Sequence, residues 1–307
     1  MPTEDSRADG IEPGRTVGFV GLGNMGKPMA AHLGAAGYLV RGYDADPRAR
    51  DRCANTAGVT VVDTVLDAAT GAAVLILMLP DSGAVHSVLI DDGLLGHLTP
   101  GTVLVDMGSS EPARTRELSA TAAERGVPMI DAPVSGGVRG AREGTLTVMV
   151  GGAPEPAAAV RPLLEVLGRK VAHVGPSGAG HALKALNNLL SATHLLVSSE
   201  AMLAGQEFGL DPKVMLEVIN GSSGRSGSTE NKWPNYMLER KFGAGFPVRL
   251  MLKDMRIAVE LARQLGRPSR LGEAATALWT EAAELLPADA DHTEIVRWLE
   301  LEHHSHS

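Results

Sequence analysis

The sequence predicts an α/β domain with a mostly parallel sheet, followed by one long helix and then an all-α C-terminal domain. Three observations predict it. Short apolar runs alternate with helical patterns over the first half of the chain, the signature of a parallel sheet covered on both faces. From Ala179 to about Phe208 there is no proline, and the only interior glycines are Gly180 and Gly205. From Pro212 to Leu299 the chain reads as helices punctuated at Gly221–Gly227, Gly243–Pro247, Gly266–Pro268 and Leu286–Pro287.

In order, the expected strands are Thr16–Val20, Leu39–Tyr43, Thr60–Val62, Val74–Met78, Val103–Asp106 and Met129–Asp131. Helical patterns lie between them, such as Lys27–Ala36 and Glu111–Arg125, the latter closed by Gly126. Two further runs, Thr145–Val150 and Val171–Val174, flank a helix around Pro156–Leu167 and are expected to extend the same sheet. At 1.5 Å per residue, the uninterrupted stretch after Gly178 would reach about 40 Å, long enough to cross between two domains.

Composition removes whole classes of function. With 307 residues, 44% of them hydrophobic, the chain can bury sizeable cores. A formal charge of -8 argues against nucleic acid or an anionic membrane as partner. Cys53 is the single cysteine, so neither an internal disulfide nor a cysteine-based zinc site is expected. Pro2 to Pro13 is acidic and polar, and the most apolar run, Ala72–Leu79, is far short of the ~20 residues of a membrane helix. A soluble cytoplasmic protein is expected. Leu301–Ser307 reads as a purification-tag remnant, and its histidines are set aside.

The chemistry begins at Gly18–Leu33, where an apolar strand runs through Gly21-Leu22-Gly23-Asn24-Met25-Gly26 into a helix. Gly21 makes the tight turn, Gly23 lets backbone approach a pyrophosphate, and Gly26 lets the helix pack on the strand. This is a Rossmann-type, dinucleotide-binding pattern. Asp44 closes the second strand, 18 residues past Gly26, near the offset at which a carboxylate bonds the adenosine ribose. It would repel a 2′-phosphate, which favours NAD while leaving NADP open, with Arg41 and Arg48 close by. Asp44 also suits a simple cap on the Asp-Ala-Asp-Pro turn.

Two more constellations follow. Asp131-Ala-Pro-Val-Ser-Gly-Gly starts at a strand's carboxyl end, and Ser135, Gly136 and Gly137 offer a hydroxyl and bare N–H groups to a carboxylate; they equally suit a plain flexible turn. Lys184, Asn187, Asn188 and Ser191 fall at i, i+3, i+4 and i+7, one polar stripe on the long helix. Such a stripe ordinarily faces solvent. Asparagine, however, is a poor helix-interior residue, and a helix crossing between domains would pass their cleft. A lysine there could act as acid or base, because loss of water favours its neutral form. Lys253-Asp254 reads locally as surface charge.

Together these motifs resemble the β-hydroxyacid dehydrogenase family, through Gly18–Leu33, Asp131–Gly152, Gly178–Asn188 and Lys253-Asp254. The third fits that family's Gly-x-Gly-x-x-x-Lys-x-x-x-Asn pattern. The resemblance implies domains over 14–178 (dinucleotide-binding), 179–208 (interdomain helix) and 209–300 (helical), beside a disordered tail over 1–13 and the tag remnant over 301–307. It implies that Gly21, Leu22, Gly23, Asn24, Met25 and Gly26 hold the pyrophosphate, that Leu79 and Pro80 border the cofactor and that Ser109 lies near the nicotinamide ribose. Ser135, Gly136, Gly137, Asn187 and Lys253 would bind a small carboxylate-bearing substrate, Lys184 would be the acid/base residue, Asn188 would orient substrate, and Lys253 would also approach the nicotinamide side of the cofactor. It also implies a homodimer or homotetramer through the helical domain, and no metal. The reaction expected is hydride transfer between NAD and a small 3-hydroxy acid. Reduction of a short aldehyde acid and a non-catalytic cofactor-binding role are the alternatives.

Overall fold

The computed structural model describes residues 10–305. The chain divides into two compact units between Lys184 and Ala185. Of the tail expected over 1–13, residues 1–9 lie outside the described residues. Its last residues are fastened down: the Ile11 N–H donates to the Ala159 carbonyl at 2.8 Å and the Ile11 carbonyl accepts from the Tyr38 hydroxyl at 3.0 Å.

Among the described residues, nine strands build one sheet in the first unit: β1 (Thr16–Val20), β2 (Leu39–Tyr43), β3 (Val59–Val61), β4 (Val74–Leu77), β5 (Val103–Asp106), β6 (Met129–Asp131), β7 (Val134–Ser135), β8 (Thr147–Gly151) and β9 (Lys170–Gly175). Their spatial order is β3-β2-β1-β4-β5-β6-β8-β7, with β9 paired to β8. Strands β1 to β6 are mutually parallel. The two late runs do extend the sheet, but β8 runs antiparallel to β6 and β7. An apolar run carries no record of its direction, and the two-residue β7 is too short to show a pattern.

The helices of this unit are α1 (Gly26–Ala35), α2 (Pro47–Cys53), α3 (Val65–Ala69), α4 (Ser82–His86), α5 (Leu94–His97), α6 (Pro112–Ala123), α7 (Gly137–Glu143) and α8 (Pro154–Leu167). Alternation along β4 shows why both faces are covered: Val74 and Ile76 join a core with Met29 of α1 and Val160 of α8, while Leu75 and Leu77 join a core with Leu94 of α5 and Leu118 of α6.

Helix α9 (Ala179–Glu207) contains the boundary between the units, and Gly209, at φ +96°, follows its end. The second unit continues with α10 (Pro212–Asn220), a π-helical segment Ser228–Met237, α11 (Val248–Gln264), α12 (Arg270–Leu285), a 3₁₀ turn at His292–Glu294 and α13 (Ile295–Ser305). Residues 301–305 of the expected tag remnant thus continue a helix, and 306–307 lie outside the described residues. Trp233, Trp279 and Trp298 sit together in the core of this unit with Met251 and Met255.

Asp291 ties the segments of this unit together. Its Oδ2 accepts N–H groups from Gly245 at 2.7 Å and Phe246 at 3.1 Å, and its Oδ1 accepts the Thr293 N–H at 3.0 Å and hydroxyl at 2.6 Å. Burial alone would raise this carboxyl's pKa, but hydrogen bonds from His292 and Thr293 outweigh it and hold the pKa well below the usual carboxylate range. A carboxyl depressed on folding contributes stability that is complete above its unfolded pKa of about 3.9 and is lost as pH falls toward the folded value. Urea midpoints for the wild type and Asp291→Asn, measured from pH 7 to pH 3, should therefore differ most near neutrality and converge in acid. A gap that stays constant would contradict the assignment.

Candidate active site

The carboxyl ends of five parallel strands fall on one row. Tyr43, Val20, Leu77, Asp106 and Asp131 are cross-strand partners at the ends of β2, β1, β4, β5 and β6. The residues singled out in the first half of the sequence follow that row: Gly21–Gly26 after β1, Asp44 after β2, Leu79 and Pro80 after β4, Ser109 after β5, and Ser135–Gly137 after β6. This is the edge at which open α/β sheets bind ligands.

The glycine turn has the shape its sequence requires. Gly21 lies at φ +99°, its N–H donates to the Tyr43 carbonyl at 2.8 Å, and a Cβ there would run into the Met78 carbonyl. A Cβ on Gly26 would strike the Gly21 carbonyl. Gly23 is different, because nothing lies within 4 Å of where its Cβ would stand. Gly23 and Asn24 are exposed and Met25 is half-buried beside the start of α1. Bare backbone at a helix N-terminus is the cradle that a pyrophosphate needs, so these residues fit the dinucleotide.

Leu22, in the same turn, has its side chain fully buried in the sheet's core, and its N–H donates to Asp44 Oδ2 at 2.7 Å. Asp44 Oδ1 accepts the Asp46 N–H at 2.8 Å, so this carboxylate caps its own turn and also braces the glycine loop. Among its cationic neighbours, Arg41 donates to the Asp67 carbonyl at 2.8 Å, and Arg50 donates to the Asp44 carbonyl at 2.6 Å. Leu79 and Ser109 are half-buried and Pro80 is exposed.

Past β6, Ser135 ends β7 half-buried, and Gly136 and Gly137 follow at φ +134° and +61°. Two successive glycines at positive φ turn the chain sharply into α7. Asp131, at the head of this motif, is the group the sequence reading left without a role. Fully buried, it accepts the Gly178 N–H through Oδ1 at 2.8 Å and the His181 N–H through Oδ2 at 3.0 Å. It therefore caps the first turn of α9, where helical N–H groups otherwise lack partners. Gly180 allows the approach, since a Cβ there would lie 2.9 Å from Asp131 Oδ2. His181 is also buried, its Nδ1 2.8 Å from Thr115 Oγ1 and its Nε2 3.7 Å from Asp106 Oδ2. Lys184 follows one turn later, half-buried, as the last residue of the first unit.

The rest of the polar stripe belongs to the second unit. Asn188 is 5% exposed and its Nδ2 donates to Asp254 Oδ2 at 2.6 Å. The Asn187 Nδ2 donates to Asn188 Oδ1 at 3.3 Å, and the Lys232 ammonium donates to Ser191 Oγ at 2.8 Å. Lys253 forms an ion pair with Asp254 at 3.1 Å. Lys253-Asp254 is thus not the surface charge that its local sequence suggests. A signal for Asp254 was present: it interrupts the buried apolar stripe Met251, Met255 and Ala258 at helical spacing. His181 carries no comparable mark. Among the described residues, no group of three or more His, Cys, Asp or Glu could hold a metal ion, and no helix is long and apolar enough to cross a membrane.

Comparison with known proteins agrees with this layout. Residues 16–175 match the family model described as the NAD binding domain of 6-phosphogluconate dehydrogenase, and residues 178–299 match the one described as NAD-binding of NADP-dependent 3-hydroxyisobutyrate dehydrogenase. The NAD-dependent L-serine dehydrogenase of Pseudomonas aeruginosa is 41% identical, over 86% of this chain and 91% of its own. The 3-hydroxyisobutyrate dehydrogenase of the same organism is 40% identical, over 90% and 94%. A solved structure of Mycobacterium tuberculosis 3-hydroxyisobutyrate dehydrogenase with L-serine superposes with a TM-score of 0.86 at 34% identity, covering 93% of this chain and 99% of that one. Fold and strand-end edge define an oxidoreductase that acts on a CH–OH group with NAD or NADP. The chain belongs to the β-hydroxyacid dehydrogenase family.

Removing the cap on α9 should be costly. Asp131→Ala is expected to lower the free energy of unfolding by about 3 kcal/mol or more, since two hydrogen bonds to a buried charge are lost. Urea denaturation checks this, and an unchanged midpoint would count against the capping role.

Proposed function

We propose that this chain is an NAD-preferring dehydrogenase of a short 3-hydroxy acid, with Lys184 as general acid/base. The observation that carries the reading is the environment of the α9 stripe. An ordinary amphipathic helix turns its polar side to water, yet here Asn188 is buried and bonded, while Leu190 is 60% and Val197 53% exposed. A buried amide held by two hydrogen bonds one turn beyond a lysine has the fixed orientation that a catalytic site needs.

A bound nicotinamide supplies the hydride acceptor or donor. The remaining chemistry belongs to the chain. Lys184 takes the substrate hydroxyl's proton during oxidation and returns it to the carbonyl oxygen during reduction. Asn188 holds the lysine in place, Asn187 binds substrate, Ser135, Gly136 and Gly137 receive the substrate carboxylate, and Lys253 serves substrate and nicotinamide. Fixing the reacting carbon in this way converts binding energy into rate. Gly21, Gly23, Asn24, Met25 and Gly26 hold the pyrophosphate; Leu79, Pro80 and Ser109 border the cofactor. Asp44 favours NAD because its charge opposes a 2′-phosphate, and of the nearby cations Arg41 is bonded to the Asp67 carbonyl. L-serine and 3-hydroxyisobutyrate, named for the relatives, are the first substrates to try. A cytoplasmic location accompanies this reading, and cell fractionation checks it.

Lys184→Ala should lower kcat by about 100-fold or more while NADH still binds, as read by fluorescence titration. Near-normal turnover would reject the role. The same assays should give a higher kcat/KM with NAD than with NADP.

The outward leucines of α9 support self-association. Leu186, Leu190 and Val197 on α9, with Val214 and Val218 on α10, are all exposed apolar residues of the second unit. We assign these exposed residues to contact with a second copy of the chain. Light scattering should give a multiple of the 32.0 kDa chain mass, and Leu190→Glu combined with Val197→Glu should give the monomer. A wild type already at monomer mass would refute the assignment.

A further inference from the structure

We infer that Asp254 is a positioning residue for the reaction: its carboxylate fixes the side-chain amide of Asn188 so that Asn188 offers an acceptor oxygen to the reacting groups. The inference rests on the functional reading above and adds to it a residue and a polarity.

On α11 the residues Val248, Met251, Leu252, Met255 and Ala258 form the buried face, and Asp254 lies within it at 1% exposure. A carboxylate at such a position is expensive to desolvate, and an apolar side chain would pack there at no such cost. Its neighbours account for the charge. Lys253 stands 3.1 Å from Oδ1, and the Asn188 amide donates to Oδ2 at 2.6 Å, the short length typical of a bond to an ionised acceptor.

That bond decides which way the amide points. A carboxylate accepts and cannot donate, so the nitrogen of Asn188 must face Asp254. Asn187 reinforces the same orientation, its Nδ2 donating to Asn188 Oδ1 at 3.3 Å. A carbonyl oxygen has two lone pairs, and one remains for a further donor. Asn188 lies four residues after Lys184, the spacing at which side chains share a helix face. In the proposed reaction the donor at that place is Lys184, whose nitrogen keeps N–H groups of its own while it exchanges a proton with the substrate. Asn188 therefore accepts from Lys184 and holds it in place. With Asp254 neutral and amide-bearing, this orientation is no longer enforced and Asn188 can present either end.

The test is a double-mutant cycle on the full-length enzyme, assayed by NAD reduction with L-serine or 3-hydroxyisobutyrate, whichever turns over. Asp254→Asn should lower kcat by about 10- to 100-fold, the worth of one charge-assisted hydrogen bond, with KM for NAD unchanged. In an Asn188→Ala background the same substitution should cost less than about threefold, because no amide is left to orient. Equal losses in both backgrounds, or no loss in the first, would overturn the inference. Thermal unfolding separates a folding defect. Should Asp254→Asn not fold, Asp254→Glu keeps the charge but displaces it, and the same pattern of kcat loss is expected; full activity there would also overturn the inference. Undiminished kcat in Lys184→Ala would instead reject the reading beneath it, whereas lost activity in that variant with an indifferent Asp254→Asn rejects only the role given to Asp254.

Discussion

One carboxylate holds the two halves of the first unit's chemistry in register. Asp131 belongs to the strand that leads into Ser135–Gly137, yet both its oxygens are bonded to the first turn of the helix that carries Lys184. The distance between the segment suited to a substrate carboxylate and the start of the lysine helix is thereby set by two hydrogen bonds to a buried ion. Buried bonds of this kind resist stretching far more than surface contacts do, because no water is at hand to replace a lost partner. Gly180 completes the joint by leaving the room that a methyl group would occupy.

The same logic recurs in the second unit with a different purpose. Asp291 draws a loop and a short turn together through four hydrogen bonds, and its work is architectural. Asp254 accepts from a single amide on a neighbouring helix and pairs with an adjacent ammonium. Buried acids thus divide into those that fasten chain to chain and those that aim a side chain.

Much of the architecture was legible in the sequence, for physical reasons. Strands β4 and β5 are buried at every position and almost wholly apolar, and a strand buried on both faces leaves that mark directly in composition. The glycine turn was legible because Gly21 and Gly26 meet carbonyl groups that exclude any side chain. What was missed involves partners far apart in the chain. Leu22 occupies a cofactor-binding motif, yet only the folded sheet shows that its side chain is core and its N–H is committed to Asp44, 22 residues away. The direction of β8 depends on its pairing with β6 and β7, and no local pattern contains it. Asp131 and His181 stand 50 residues apart, so nothing in either neighbourhood reveals their bond. Asp254 is the intermediate case: its position on an apolar stripe marks it as unusual, but only the fold supplies Asn188.

The bond between Leu22 and Asp44 bears on how such an enzyme could change its coenzyme. The carboxylate that would turn away a ribose phosphate is also a strut of the loop proposed to cradle the diphosphate. Selection for a different dinucleotide therefore acts on loop shape and on charge at once. A neutral replacement that still accepts the Leu22 N–H keeps the loop intact, whereas an aliphatic one relaxes both properties together. Routes through small polar side chains are accordingly the accessible ones, and discrimination and tightness of binding would evolve as a linked pair.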